Sequence, residues 1–423
     1  MSQTIIPAVR SRKAAPAPPL TALAHHLLCN RLSRLAEGEL IFVSEFGTDH
    51  FGTPCSDLPA VTLHVDNPSF WGDVAFGGSV GAAESYICGD WRTENLTGLI
   101  RLMTRNAKVL EDLEAGLALV TSPLRRVLHW LNRNSLSGSR RNIAAHYDLG
   151  NALFERMLDP TMAYSSAIYP SADASLHDAQ LHKFDTICRK LDLKPGESLL
   201  EIGTGWGGLA IHAAREFGVR VTTTTISREQ HDHARDAIAR AGLDGRITLL
   251  FEDYRNLTGT FDKLVSIEMI EAVGHRYLDT YLATCSGRLA PHGLMLLQAI
   301  TLQDQYYEAA RRQVDFIQRY VFPGSFIPSV QAISAALTRS TDLKIFHLED
   351  IGPHYARTLR DWHKNVFRDP AAIRAMGYPE EFLRLWDYYL CYCEGGFLER
   401  HIGDVQMLLS KPRCTRPALL AIA

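Results

Sequence analysis

Leu199-Leu200-Glu201-Ile202-Gly203-Thr204-Gly205-Trp206-Gly207-Gly208 is the stretch that decides the fold. An apolar strand runs into an acidic residue, glycines follow at every second position, and an Ala-rich helix begins. The strand delivers the chain to the edge of a sheet. Glycine lets the backbone turn sharply and approach a ligand closely. The helix that follows offers N–H groups without intrahelical partners. The order predicts a nucleotide-binding turn. A carboxylate just before the turn accepts hydrogen bonds from a cation or an amine, so Glu201 disfavours a pyrophosphate ligand. On these residues alone a glycine-rich turn with no ligand role stays open.

The choice of nucleotide lies between a dinucleotide and S-adenosylmethionine. A dinucleotide site places Asp or Glu about 20 residues on, at the tip of the next strand, to hold the ribose. That strand reads Val219-Arg220-Val221-Thr222-Thr223-Thr224-Thr225, with no acid at its tip. The NAD reading weakens, and hydroxyls or Gln230 are left to hold the ribose. The acid-x-Gly-x-Gly-x-Gly pattern resembles the first motif of class I methyltransferases, whose usual ribose-binding acid is missing here. Further strands are predicted at 198–202, 247–251, 263–266 and 294–300, with helices at 209–217, 228–241 and 277–289. Strand–helix alternation implies a parallel sheet covered on both faces, with ligands beyond the C-terminal strand ends. Residues 301–335 interrupt the alternation with aromatics and Pro-Gly, and read as an inserted cover over the site. The remainder reads as helical, with a last strand near 405–410. Asp253-Tyr254 follows the third strand, where the carboxylate can accept from an adenine amino group or merely cap a turn. Glu268, Glu271 and His275 follow the fourth strand; of the two acids, one reads as functional and the other as an ion-pair partner.

With 423 residues the chain is too long for one compact core and suits two domains. Apolar residues make up 46% and charged residues 22%, a normal globular balance, and the formal net charge of −3 gives no electrostatic case for a nucleic-acid partner. The eight cysteines are scattered without zinc spacing, so no metal is expected and a reducing cytoplasm is the simplest setting. No apolar run near the N-terminus suits a signal peptide or membrane span.

Residues 1–20 are Ala/Pro-rich and expected to be disordered. Residues 21–122 form a first unit, with a helix at 24–36, strands at 38–43 and 60–65, a Gly/aromatic-rich stretch at 69–81 that leads into 84–91, and a helix at 96–119. No catalytic constellation stands out there. Residues 123–141 form a basic linker: Arg125, Arg126, Arg133, Arg140 and Arg141 occur with no acid among them, and Leu124, Val127, Leu128 and Leu131 recur at helical spacing beside Trp130. Such a stretch can lie on an anionic membrane surface, or it can be an interdomain helix whose arginines are merely solvated. Residues 142–423 form the domain that carries the glycine turn.

Across that domain several motifs occur in order: Asn142-Ile143-Ala144-Ala145-His146-Tyr147-Asp148-Leu149-Gly150-Asn151, Met162-Ala163-Tyr164-Ser165-Ser166-Ala167-Ile168-Tyr169, Thr225-Ile226-Ser227-Arg228-Glu229-Gln230, Asp253-Tyr254-Arg255, Ile270-Glu271-Ala272-Val273-Gly274-His275, Phe322-Pro323-Gly324 and Gly352-Pro353-His354-Tyr355-Ala356-Arg357-Thr358-Leu359. Together they resemble the cyclopropane fatty acid synthases and the related mycolic acid methyltransferases. The resemblance implies an α/β class I methyltransferase sheet of the Rossmann-like kind with a helical cover, preceded by a smaller α+β domain that engages lipid. It implies transfer of a methyl group from S-adenosylmethionine to a cis double bond of an unsaturated phospholipid acyl chain, a carbocation steadied by aromatic faces such as Tyr164, Tyr307, Phe322 and Tyr355, and ring closure assisted by bound bicarbonate. The cofactor positions match Tyr164, Ser165, Gly203, Gly205, Thr225, Gln230, Asp253 and Tyr254, beside Glu201 of the turn. The catalytic, bicarbonate-holding positions match Ser166, Glu271, Gln298, Ile300 and Tyr355. Ser166 stands where Cys is common and Gln298 where His is common. Gln donates through its amide but cannot titrate, which opens two other outcomes: a hydride shift giving a methylene-branched chain, or an inactive lipid-binding relative. Peripheral attachment to a membrane from the cytoplasmic side, and a homodimer, are the further associations the resemblance suggests.

Overall fold

A computed structural model describes residues 18–109 and 150–419. The basic stretch, most of the 142–151 motif and all but the end of the 1–20 segment lie outside those residues.

The second described part is built on a seven-stranded sheet. Its strands are β5 (Ser198–Ile202), β6 (Arg220–Thr225), β7 (Ile247–Phe251), β8 (Phe261–Ile267), β9 (Leu289–Leu302), β10 (Lys344–Asp350) and β11 (Ile402–Ser410), in the order β10-β11-β9-β8-β5-β6-β7. Neighbours from β9 through β8, β5 and β6 to β7 are parallel, whereas β11 runs antiparallel to both β9 and β10. Alternate residues serve opposite faces, as the pleat requires. Leu200, Leu264, Met295 and Leu297 join one core with helices α8 (Leu278–Gly287) and α10 (Val330–Ser340). Leu199, Val265, Leu294 and Leu296 join the other with α5 (Leu176–Lys190), α6 (Gly208–Glu216) and α7 (Arg228–Arg240). Local chemistry marks the helix starts: Ser175 and Asp178 form a reciprocal capping box on α5, and Ser227 Oγ caps α7.

The first described part holds α1 (Pro18–Leu32), β1 (Gly38–Ser44), β2 (Gly47–Thr53), β3 (Val61–Val65), α2 (Ser69–Cys88), β4 (Trp91–Thr93) and α3 (Leu96–Arg105), with sheet order β2-β1-β3-β4. Two sequence expectations need correction, and one stretch left unassigned becomes an element. The Gly/aromatic-rich segment is a helix, α2, bent at Gly78 (φ 61°, ψ −146°), and Gly81 is required where a Cβ would sit 1.9 Å from the Asp73 carbonyl oxygen. The helix expected at 96–119 is interrupted at Asn106, which caps Leu96–Arg105, and residues 110–119 of that expectation lie outside the described residues. In the 301–335 cover, α9 (Asp304–Ala310) and a π-helical turn at Ile317–Val321 border the site, whereas α10 begins at Val330 and packs on the sheet.

The remaining helices are α4 (Asn151–Met157), α11 (Gly352–Phe367), α12 (Pro370–Ala375) and α13 (Glu380–Leu398). One hydrophobic core runs without a break from Leu40, Phe70 and Trp91 of the first part into Trp362, Phe382 and Trp386 of α11 and α13. Polar anchors ring it. Glu399 accepts from Arg101 Nε at 2.6 Å and Arg105 Nε at 2.7 Å, Thr97 donates to Glu394 at 3.0 Å, and Tyr320 donates to Glu84 at 2.7 Å. No helix among the described residues is long and apolar enough to cross a membrane.

Glu399 is 11% exposed and holds two guanidinium groups of 22% and 17% exposure. Glu399→Gln leaves Arg101 partly buried without its counter-charge and Arg105 with Asp57 alone. The expected loss is about 1–3 kcal/mol of stability in urea unfolding, the scale of a hydrogen bond to a charged group.

Candidate active site

A cavity of about 1060 Å³ lies at the C-terminal ends of the parallel strands. It is slightly larger than the usual range for a small-molecule site, about 300–1,000 Å³. Its floor is the turn after β5. Gly203 has φ 105° and Gly205 φ 53°, and a Cβ on Gly205 would meet nothing within 4 Å, so that position faces open space. Helix α6 follows Gly207, which offers it no side-chain cap and leaves its first N–H groups to a ligand. Tyr164, Ser165, Glu201, Gly203, Gly205, Thr225, Gln230, Asp253 and Tyr254 all line this cavity, as do Glu271, Ile300 and Tyr355. Ser166 and Gln298 are wholly buried behind the wall.

The individual contacts explain the placement. Thr225 Oγ1 donates to Gln230 Oε1 at 2.9 Å, pairing the strand tip with the first turn of α7. Arg255 grips the Asp253 carboxylate through Nε at 2.7 Å and a terminal nitrogen at 2.6 Å. Lys183 Nζ donates to Ser165 Oγ at 2.6 Å, and Tyr164 and Tyr389 share a hydrogen bond of 2.9 Å between hydroxyls. Trp206 Nε1 donates to Asn151 Oδ1 at 2.8 Å, which ties the turn to α4. Glu201, 4% exposed, accepts from Thr223, and burial pushes its carboxyl up to about 8. Once ionised, a buried acid beside a glycine turn suits a ligand carrying positive charge.

Behind the turn stands a group that the sequence reading left undecided. Glu268, next after β8, accepts at Oε1 from the Ser166 backbone N–H at 2.8 Å and from Gln298 Nε2 at 2.8 Å, and at Oε2 from Tyr355 Oη at 2.7 Å. The Gln298 amide is oriented by a chain of bonds. Lys190 donates to Gln406 Oε1 at 2.6 Å, and Gln406 Nε2 donates to Gln298 Oε1 at 2.9 Å. That leaves the Gln298 amide nitrogen for Glu268 and, at 3.2 Å, for Asp404. Lys183, with no exposure, faces the same carboxylates, and burial lowers it to about 8. Burial and the charge of Glu268 push Glu271 up to about 8, and Asp404 is driven well above the carboxylate range by burial and by both glutamates. Glu271 Oε1 accepts from the Ile300 N–H at 2.6 Å, while its buried Oε2 has no partner. His275, the third residue of that strand end, pairs with the Tyr307 hydroxyl at 2.7 Å.

The five positions matched to bicarbonate do not form an open anion cradle. Ser166 Oγ donates to the Ala167 carbonyl, the Ile300 N–H to Glu271, and the Ser166 N–H, Gln298 amide and Tyr355 hydroxyl to Glu268. Their donors are already engaged, and most of them converge on a carboxylate of the chain itself. Glu268 is thus the site residue that motif reading underweighted. The signal available was two acids three residues apart at one strand end, and only the fold shows which one the donors face.

The family model described as mycolic acid cyclopropane synthetase matches residues 134–407. The chain belongs to that family. It is 35% identical over 413 residues to the tuberculostearic acid methyltransferase UfaA1 of Mycobacterium tuberculosis, covering 93% of each chain. It is 38% identical over 353 residues to the cyclopropane-fatty-acyl-phospholipid synthase of Escherichia coli (strain K12), covering 82% of this chain and 87% of that one. A crystal structure of the mycolic acid cyclopropane synthase CmaA1 complexed with SAH and CTAB superposes with a TM-score of 0.61 at 29% identity, over 64% of this chain and 98% of that one. The chain is therefore an S-adenosylmethionine-dependent methyltransferase of the cyclopropane synthase type, on the class I fold. The expectations of family, fold class, enzyme type and S-adenosylmethionine as cofactor all hold.

Two outcomes follow from the turn. Gly205→Val projects a branched side chain into the cavity from a left-handed backbone position. Calorimetry is expected to show no S-adenosylhomocysteine binding, with circular dichroism unchanged and a stability loss within the ~1–3 kcal/mol of such strain. Glu201 must be ionised to pair with a cationic ligand, and its raised pKa means that below about 8 it is mostly protonated. Affinity for S-adenosylmethionine is therefore expected to rise as pH increases toward that value, by up to about tenfold per pH unit, and then to level off. Glu201→Gln should flatten the profile; a profile unchanged by that substitution would assign the dependence elsewhere.

Proposed function

We propose that this chain methylates a cis double bond in an acyl chain of an unsaturated phospholipid and closes the product to a cyclopropane. The observation that carries the reading is the continuity of the cavity. The space that holds the glycine turn also reaches Leu40, Phe42, Leu63 and Phe70 in the interior of the first unit. An acyl chain threaded there would bring its alkene toward the cofactor while water is excluded.

S-adenosylmethionine supplies an electrophilic methyl group. Glu201, Gly203, Gly205, Thr225, Gln230, Asp253 and Tyr254, with Tyr164 and Ser165 at the opposite wall, are the residues that would hold it. Positive charge left on the acyl chain would be met by aromatic faces. Tyr164 stands 6.3 Å from Phe322 and 5.2 Å from Trp362 between ring centroids, and Tyr355 stacks on Phe397 at 4.4 Å. Such faces attract a cation, most strongly in a dry site. Ser166, Gln298, Ile300, Glu271 and Tyr355 frame the carboxylates beside them. The arginines at 125, 126 and 133 would add attraction to an anionic membrane surface.

A second reading keeps the substrate and the transfer step but ends in a methylene branch. It is supported by Gln298, which cannot titrate, and by the match along 93% of both chains to a protein named for tuberculostearic acid.

The test is incubation with S-adenosylmethionine and vesicles of a cis-monounsaturated phospholipid, read by proton NMR because the two products are isomers. A strongly shielded ring CH₂ is expected. A vinylidene signal would replace ring closure with the branched product, and lipid with no added carbon would sink the acyl-methylation reading.

A further inference from the structure

Glu268 combines three features that packing alone does not account for. It has a φ of 46° without being glycine, a left-handed position that costs a side-chain-bearing residue about 1–3 kcal/mol and that persists only where the surroundings over-determine it. Its side chain is half-buried at the cavity wall, where desolvation raises its carboxyl above the usual range and an uncompensated charge would be costly. Three donors from three separate segments meet on it: the Ser166 N–H, the Gln298 amide and the Tyr355 hydroxyl, at 2.7–2.8 Å. The buried ammonium of Lys183 faces it as well. Three donors and a cation are an arrangement for a negative charge. Glu271 has a single backbone donor, and Asp404 shares only the Gln298 amide.

We infer that the Glu268 carboxylate is the built-in anion of this site, standing in for a bound bicarbonate and taking the proton from the transferred methyl group. The inference rests on the alkene-methylation reading above. When the methyl carbon has bonded to one alkene carbon, the other is a cation. A methyl C–H breaks, its proton goes to Glu268, and its electron pair forms the third C–C bond of the ring. The carboxylate becomes a neutral acid, and it returns its proton to solvent after the products leave. Oε1 accepts from two donors and Oε2 from Tyr355, so Oε2 is the more basic oxygen. Burial raises all three carboxyls, but Tyr355, Lys183, the Ser166 N–H and Gln298 pull Glu268 back down, so Glu271 and Asp404 hold their protons and one negative charge settles on Glu268. Lys183 and Tyr355 act as positioning residues.

The first measurement uses the unaltered chain. Methyl transfer from S-adenosylmethionine to vesicles of dioleoylphosphatidylglycerol is followed in buffer stripped of carbon dioxide and again with bicarbonate added. Equal turnover is expected. Turnover that needs bicarbonate overturns this inference alone, and absence of methyl transfer under both conditions overturns the methylation reading together with it. Two variants give independent readings. Glu268→Gln keeps the shape but cannot take a proton, and turnover is expected to fall about 10²–10⁴-fold with S-adenosylhomocysteine affinity retained. Glu271→Gln, which mimics a neutral acid, is expected to fall far less; the reverse order would move the base to Glu271. Glu268→Gly relieves the left-handed backbone and frees the three donors. That variant is expected to bind ¹³C-labelled bicarbonate by NMR line broadening, where the unaltered chain does not, and to regain turnover when bicarbonate is added. Broadening by the unaltered chain equal to that of Glu268→Gly would show that the carboxylate does not fill the anion's place.

Discussion

Lys183 carries an ammonium group into the protein with no solvent exposure, and of the carboxyls that answer it Asp404 is buried as deeply and Glu268 is half-buried. An unpaired ion in such a place is prohibitive, and a paired one is tolerated only when hydrogen bonds satisfy what the pairing leaves over. Much of the structure around the sheet edge serves that requirement. Helix α5 supplies Lys183, the end of β8 supplies Glu268, β9 supplies Gln298, β11 supplies Asp404 and Gln406, and α11 supplies Tyr355. The antiparallel strand β11 matters because it sets Gln406 opposite Gln298, and so fixes which end of that amide meets the acid. Five elements distant in sequence are thereby held to one geometry.

The same dryness that makes those charges expensive is what a carbocation requires. A cation on an acyl chain survives only while no nucleophilic water reaches it. The enclosure comes from the first unit and the two C-terminal helices, which share one hydrophobic core and are clasped by charged anchors at Glu84, Glu394 and Glu399. The first unit lends part of its own interior to the cavity, so packing that stabilises the fold and packing that lines an acyl channel are the same contacts. This accounts for the lack of any catalytic constellation there: its contribution is apolar surface.

The central sheet was legible because its signal is local. Apolar runs of strand length alternate with helical periods, and the glycine turn follows the first of them. Strands β2 and β10 were missed for the opposite reason. Gly47–Thr53 is a largely exposed strand of polar residues and glycine, and Lys344–Asp350 is a half-exposed edge, so neither carries an apolar run. Helix α2 was not read as an element because its glycines lower helix propensity, and burial of Phe70, Trp71 and Val74 overrides that preference. The cavity-lining residues of the cofactor turn were named from motifs because they follow strand ends in order. Glu268 was not resolved from Glu271, since nothing in the order of residues says that Tyr355, 87 positions away, and Ser166, 102 away, point at one acid and not the other.

Ring closure and methylene branching are usually set apart by whether a base is present, but both outcomes lose a proton from the same methyl group. They differ in what happens first. If the proton leaves while the cation is still on the neighbouring carbon, the freed pair closes a ring. If a hydride crosses first, the cation sits on the methyl-bearing carbon and the freed pair makes a double bond. A base fixed in the wall by three donors needs no encounter with a diffusing anion and so favours early proton loss, whereas the same donors lower its basicity and delay it. The Tyr355 hydroxyl on Oε2 sits at that balance. Its bond is the one contact on the more basic oxygen, and its strength sets how long the cation waits.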